Sequence, residues 1–257
     1  ARLLTPSGGT RWERNSDADV EPFTLIDAGT YSLVIDGNGS ATGPYKFRLL
    51  DASKLAVLPL DTIVSDTLSP GISAKVYRFE GTAGQHLYLD GLGANSGGSW
   101  YLYGPNNALI ISASIGGDFE TTLLLNGTYL LAAWGSNLGG PLPFSVQVLT
   151  SDLVPGSLAP GSTVSGTVSE PGEQHLYTFA GTTGQRIYYD SLDSDSEQLY
   201  SRLIAPSGVL VWDFTNQSTD TGPVTLLENG LYTLLIDGSV AATGDFRFRI
   251  LDLAAAA

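Results

Sequence analysis

The chain contains no cysteine and no methionine. Without thiols there is no disulfide framework, no thiol nucleophile and no zinc-thiolate site. Without methionine not even an initiator residue is present, so the 257 residues read as a processed chain or as a segment of something longer. Histidine occurs only at His86 and His175. Basic residues are scarce: 12 Lys and Arg stand against 26 Asp and Glu, for a net charge of −14. Such a surface repels nucleic-acid backbones and anionic lipid, so neither is an expected partner. It suits divalent cations, and it also suits solubility alone. No apolar run reaches the roughly 18–20 residues that span a bilayer as a helix, and no signal-peptide pattern opens the sequence.

Glycine is abundant, at 31 residues, and 42% of the chain is hydrophobic. Tyr, Thr, Val and Leu between Gly-rich punctuation favour short strands joined by tight turns. That hydrophobic content is enough for packed cores and argues against wholesale disorder.

The chain repeats itself. Thr24–Asp51 aligns without a gap on Thr225–Asp252, and 15 of 28 positions are identical. A fainter copy runs from Asn126-Gly-Thr-Tyr to Phe144-Ser-Val-Gln-Val. Repeats at this period are the signature of tandem units. Three segments follow: 1–52 as a partial β-sandwich repeat (its second half only), 53–152 as a full repeat, and 153–253 as another. Ala254–Ala257 carries no information.

In the last repeat, strands are expected near 162–168, 174–180, 185–190, 199–205, 208–214, 223–227, 231–237 and 245–251. Phe246-Arg-Phe-Arg-Ile is the clearest, because alternating apolar and charged residues mark a half-buried strand. Tyr45-Lys-Phe-Arg-Leu and Phe144-Ser-Val-Gln-Val are its cognates. Pro6-Ser-Gly, Pro105-Asn-Asn and Pro206-Ser-Gly mark one turn in all three repeats. Nothing reads as a helix longer than a turn. The expected fold is all-β: tandem antiparallel β-sandwich domains of jelly-roll-like or Greek-key type, with an N-terminal half domain. The half repeat lacks its first three strands, which leaves an apolar sheet face and an unpaired edge. Either it was cut from a longer array, or another chain supplies the missing strands.

Tyr177-Thr-Phe with Gly181 and Gly184, then Leu203-Ile-Ala-Pro-Ser-Gly, then Asn229-Gly-Leu-Tyr-Thr-Leu, resembles the bacterial pre-peptidase C-terminal domain. So do Tyr77-Arg-Phe with Gly81 and Gly84, and Asn126-Gly-Thr-Tyr. The resemblance covers nearly the whole chain. It implies small non-catalytic β-sandwiches appended to secreted proteases and surface proteins, some of which bind calcium, collagen or polysaccharide. Leu199-Tyr-Ser-Arg and Trp100-Tyr-Leu-Tyr lack the Asp-rich strand of that family.

Asp190, Asp193, Asp195 and Glu197 form the candidate metal loop. They place hard oxygen ligands on one segment, and calcium takes about six to eight such oxygens. The alternative is a solvated acidic loop. Trp100, Tyr101, Tyr103 and Trp134 are the candidate ligand-binding residues, since flat aromatic platforms bind sugar rings; core filling is the alternative. Trp12 and Trp212 share a register, which points to packing. Asp36-Gly and Asp237-Gly read as turns in which Asp bonds nearby amides. No Ser-His-Asp pairing and no Gly-x-Ser-x-Gly elbow can be argued.

The expected function is that of a non-catalytic structural or adhesive segment of a secreted, repetitive bacterial protein, a stalk, filament or matrix element. The alternative is a carbohydrate- or protein-binding accessory module of a secreted enzyme. Expected partners are neighbouring copies of the same protein, or a glycan, at an extracellular or cell-surface location, with calcium as the candidate cofactor.

Overall fold

A computed structural model describes the chain except residues 16–18, 94–96, 194–197, 240 and 255–257. Among the described residues the regular secondary structure is all strand apart from one 3-10 turn at Ala52–Lys54. None of their helices is long and apolar enough to cross a membrane.

The first segment carries β1 (Arg2–Leu4), β2 (Thr10–Glu13) and β3 (Ser32–Val34). The middle segment carries β4 (Ala56–Val57), β5 (Val64–Leu68), β6 (Ala74–Gly81), β7 (His86–Asp90) and β8 (Gly98–Tyr103). It continues with β9 (Leu109–Ser114), β10 (Phe119–Thr122), β11 (Gly127–Gly135) and β12 (Leu142–Ser151). The last segment holds β13 (Leu153–Ser157), β14 (Thr163–Val168), β15 (Gln174–Gly181), β16 (Arg186–Ser191) and β17 (Leu199–Ile204). It ends with β18 (Leu210–Asn216), β19 (Thr221–Thr225), β20 (Gly230–Gly238) and β21 (Gly244–Asp252).

Period-2 alternation is what makes β21 a strand. Phe246, Phe248 and Ile250 point into a core while Asp245 and Arg247 face out. Both edges of β21 are paired, with β14 on one side and β16 on the other. The last segment thus builds a four-stranded sheet, β14-β21-β16-β19, and a five-stranded sheet, β13-β15-β20-β17-β18. The middle segment builds the same two sheets in the same order, β5-β12-β7-β10 and β4-β6-β11-β8-β9. In each segment the two sheets close on one hydrophobic core. Tyr77, Leu89, Trp100, Tyr129 and Val146 belong to one core, and Tyr189, Leu203, Tyr232, Phe246 and Phe248 to the other. The architecture is an all-β sandwich.

Two details depart from the sequence expectation. A ninth strand, β13, was not anticipated, and it runs parallel to β15. Pro155 and Gly156 interrupt its pattern, and such residues usually argue against a strand. At this outer position only one side needs hydrogen bonds, so both are tolerated. The second departure is in the first segment. There β2-β1-β3 reproduces β18-β17-β20, down to Leu3 opposite Trp12 as Leu203 is opposite Trp212. Yet 45–50, the cognate of β21, forms no strand, and Tyr45, Phe47 and Leu49 stay exposed. A strand is a paired object, and among the described residues of 1–52 there is no counterpart of β14 or β16.

Candidate functional site

The recurrent motifs converge on one corner of each unit. In the middle unit Tyr129 donates its hydroxyl to the carbonyl of Leu125 at 2.7 Å and accepts from the Leu125 amide at 3.2 Å. Tyr232 repeats this on Glu228, at 3.1 and 3.0 Å. Tyr31 accepts from the Asp27 amide at 3.0 Å. The glycine two residues before each Tyr has positive φ, at 133°, 138° and 140° for Gly29, Gly127 and Gly230. A Cβ on any of them would press on Pro6, Pro105 or Pro206, the prolines of the shared turn. The Gly-Thr-x-Gly-Gln turns are held the same way. Asn126 and Asn229 accept from Ala83 and Thr183, while Gln85 and Gln185 accept from Thr82 and Thr182. The family-like residues therefore spend their polar atoms on backbone geometry.

The aromatic candidates separate. Trp100 is fully buried, edge-on to Phe144, with its indole N–H donated to the Ile115 carbonyl at 2.9 Å. It fills the core and cannot serve as an open platform. Tyr101 and Tyr103 alternate to the outer face of the five-stranded sheet. Tyr103 is buried there against Leu130 and Ala132, and burial, with Glu21, Tyr101 and Asp19 nearby, pushes its hydroxyl up to about 12. What remains open is a half-buried pair, Tyr101 and Trp134, with ring centroids 4.6 Å apart.

The acidic loop is only partly visible: Asp195 and Glu197 lie outside the described residues. Asp190 is engaged by Arg249 Nε at 2.5 Å. Asp193 accepts from Gln217 Nε2 at 3.0 Å. Among the described residues no group of three or more His, Asp or Glu side chains is arranged to hold a metal ion.

Sequence reasoning missed a polar cluster where the middle and last units meet. Ser151 donates its hydroxyl to the Pro171 carbonyl at 3.3 Å, and Gly172 sits directly on Tyr88, with no room for a Cβ. Beside this contact, His86 is 5% exposed. Its Nδ1 contacts Thr122 Oγ1 at 3.1 Å, while Nε2, buried and without a hydrogen-bond partner, lies 3.6 Å from Glu120 Oε2. From the other unit, Asp237 accepts from Gln174 Nε2 at 2.8 Å through Oδ2, and its Oδ1 is buried without a partner. Burial and then the Glu120 charge push the Asp237 carboxyl up to about 6, against the Gln174 and Gly238 hydrogen bonds and the His86 charge. Asp237 is thus a strand residue of β20, paired within its own unit, and not the simple turn residue that Asp-Gly suggests. Its middle-unit counterpart is Trp134, and that change of chemistry at one register position was the available signal. Close by, Glu173 Oε1 meets His175 Nε2 at 2.9 Å, and Glu173 Oε2 accepts from the Ser169 amide and hydroxyl at 2.6 and 2.5 Å. The serine hydroxyl is directed at the carboxylate, not the imidazole, so the trio lacks the geometry of a nucleophile and its base.

No family model matches the chain, and no curated protein matches it. Among solved structures it is similar to PliG, a periplasmic inhibitor of g-type lysozyme from Aeromonas hydrophila, at 18% identity and a TM-score of 0.30, over 39% of this chain and 90% of that one. It is similar to the pre-peptidase C-terminal domain of collagenase from Bacillus anthracis at 14% identity and 0.28, over 39% and 95%. A third similarity, to the CUB1-EGF-CUB2 domains of human MASP-1/3, has 10% identity and a TM-score of 0.23, over 73% and 99%.

Proposed function

We propose that this chain is a structural or adhesive segment of a secreted, repetitive bacterial protein, built from units of the pre-peptidase C-terminal type. The observation that carries this reading is the shared corner. Residues that recur between units, Tyr31, Tyr129 and Tyr232 with their glycines and prolines, hold turns and cores, and none meets another in a reactive arrangement. Repeated units that bury their own recurring residues act through shape and length. Neighbouring copies of the protein are the proposed partners. Tyr45, Phe47 and Leu49 present the face that Phe246, Phe248 and Ile250 bury in the last unit. Sedimentation velocity tests this: the chain should self-associate with rising concentration, and Phe47→Asp should shift it toward monomer. A monomer at all concentrations would contradict the reading.

A second reading rests on the Tyr101–Trp134 pair. Two half-buried rings offer apolar area to a sugar face. On this reading a glycan array gives a hit that Trp134→Ala weakens by tenfold or more; an array with no hit removes it.

A further inference from the structure

The first segment keeps a set of residues whose partners, in the last unit, all come from the front half of that unit, β13–β16. There β16 lies against β21, with Tyr189 opposite Ile250 and Asp190 opposite Arg249. Tyr189 stacks on Phe248 with ring centroids 5.3 Å apart and meets Trp212 edge-on at 6.1 Å. Asp190 Oδ2 accepts from Arg249 Nε at 2.5 Å, and Gln185 Nε2 donates to Asp252 Oδ2 at 2.9 Å. From β15, Tyr177 packs edge-on to Phe248 at 5.5 Å. The receiving residues Trp212, Phe248, Arg249 and Asp252 have counterparts in Trp12, Phe47, Arg48 and Asp51. Asp51 is already held as its counterpart is: its Oδ1 accepts from the Ser53 amide at 2.9 Å, as Asp252 Oδ1 does from the Ala254 amide. Yet among the described residues of 1–52 nothing corresponds to β15 or β16. Phe47 stays 56% exposed, and the exposed Arg48 donates to the Ala74 carbonyl in place of a carboxylate.

We propose that residues 45–51, with Trp12, form a docking face for a front half of the last-unit kind, strands of the β14–β16 type carried by a partner chain of the same repeat. The inference rests on the reading above that neighbouring molecules cover this face, and it names the element that covers it. Both front halves within the 257 residues are engaged in their own units, β5 and β7 on β12, and β14 and β16 on β21. The occupant is therefore a further one. Its kind follows from the residues that would receive it. An aromatic in the place of Tyr189 can stack on Phe47 and meet Trp12, and a carboxylate in the place of Asp190 answers Arg48 with a charge-assisted hydrogen bond. A front half of the middle-unit kind is the poorer match. It carries Leu89 in the place of Tyr189, and its Asp90 faces Gln147 where Asp190 faces Arg249. Strand addition also supplies residues 45–50 with the backbone partners that their alternation lacks.

The test uses the 257-residue chain, dilute enough to be monomeric, and two fluorescein-labelled synthetic peptides, residues 160–192 and, as the control, 60–92. The first peptide should bind saturably by fluorescence anisotropy and bring protection to amides 46–50 in hydrogen exchange, and the control should bind about tenfold more weakly. Arg48→Asp, at an exposed position, should weaken the first peptide by about tenfold, and the same peptide carrying Asp190→Arg should restore the affinity. Absence of saturable binding overturns the docking face. So do binding that leaves amides 46–50 unprotected, equal affinity for the two peptides, and an affinity that Arg48→Asp leaves unchanged. A chain that self-associates yet ignores the first peptide keeps the reading above and overturns only this one; a chain that binds the peptide while staying monomeric on its own does the reverse.

Discussion

Tyr31, Tyr129 and Tyr232 each reach back four residues to the backbone, so one hydroxyl satisfies groups that a tight corner would otherwise strand. Tyr232→Phe keeps the ring packed on Phe179 and removes only those bonds. It should destabilise the last unit by about 1–2 kcal/mol in urea unfolding; no change would show that the corner is held by packing alone. Glu173 supplies the complementary case to Asp237. Burial pushes its carboxyl up, but the Ser169 side chain and amide, the His175 charge and the Glu170 amide together hold it below the usual carboxylate range. A depressed value means stability present above the ordinary carboxylate pKa and lost as pH falls through the folded one. The stability difference between wild type and Glu173→Gln, followed by thermal melting from pH 6 to pH 3, should therefore shrink as acid is added. A constant difference would contradict the assignment. Of these residues the corner tyrosines were legible, because they recur with their Gly and Pro partners. Asp237 was not, because it draws its role from Gln174, 63 residues away in sequence; Glu173 and His175 were not, because the tight turn that folds Ser169 and His175 onto Glu173 carries no repeated motif.

Strands in this chain form where both alternation and a partner are present. Residues 45–50 have the same alternation as 246–251, with Tyr45, Phe47 and Leu49 in the places of Phe246, Phe248 and Ile250, yet only the second set is a strand. In dilute, monomeric chain, amides 46–50 should exchange freely, and 247–251 should be protected by orders of magnitude, since the latter sit between two paired neighbours. Equal protection would mean that a partner already completes the first segment. The eight strands of the last unit could be placed from pattern and turns to within a few residues. β13 could not, because its Pro155 and Gly156 mask it and its parallel pairing with β15 is settled only by the tertiary fold. Trp100 shows the same limit among the candidate site residues. Tyr101 and Tyr103 face out and it faces in, a matter of phase that a run with no charged residue, Trp100-Tyr-Leu-Tyr103, does not reveal.

At the scale of the molecule, one arrangement of nine strands occurs twice in the same order, and three of its strands occur a third time. Each complete unit has its own core. Contacts between units include the Ser151–Pro171 and Asn107–Thr24 hydrogen bonds and the packing of Gly172 on Tyr88. On the proposed reading, such units, copied along a chain and joined by short links, would form an extended object whose length follows the number of copies. Negative-stain electron microscopy of the purified chain over a range of concentrations tests this directly. The account predicts elongated strings of beads, each bead one sandwich, joined end to end between molecules. A field of isolated compact particles at every concentration would contradict it.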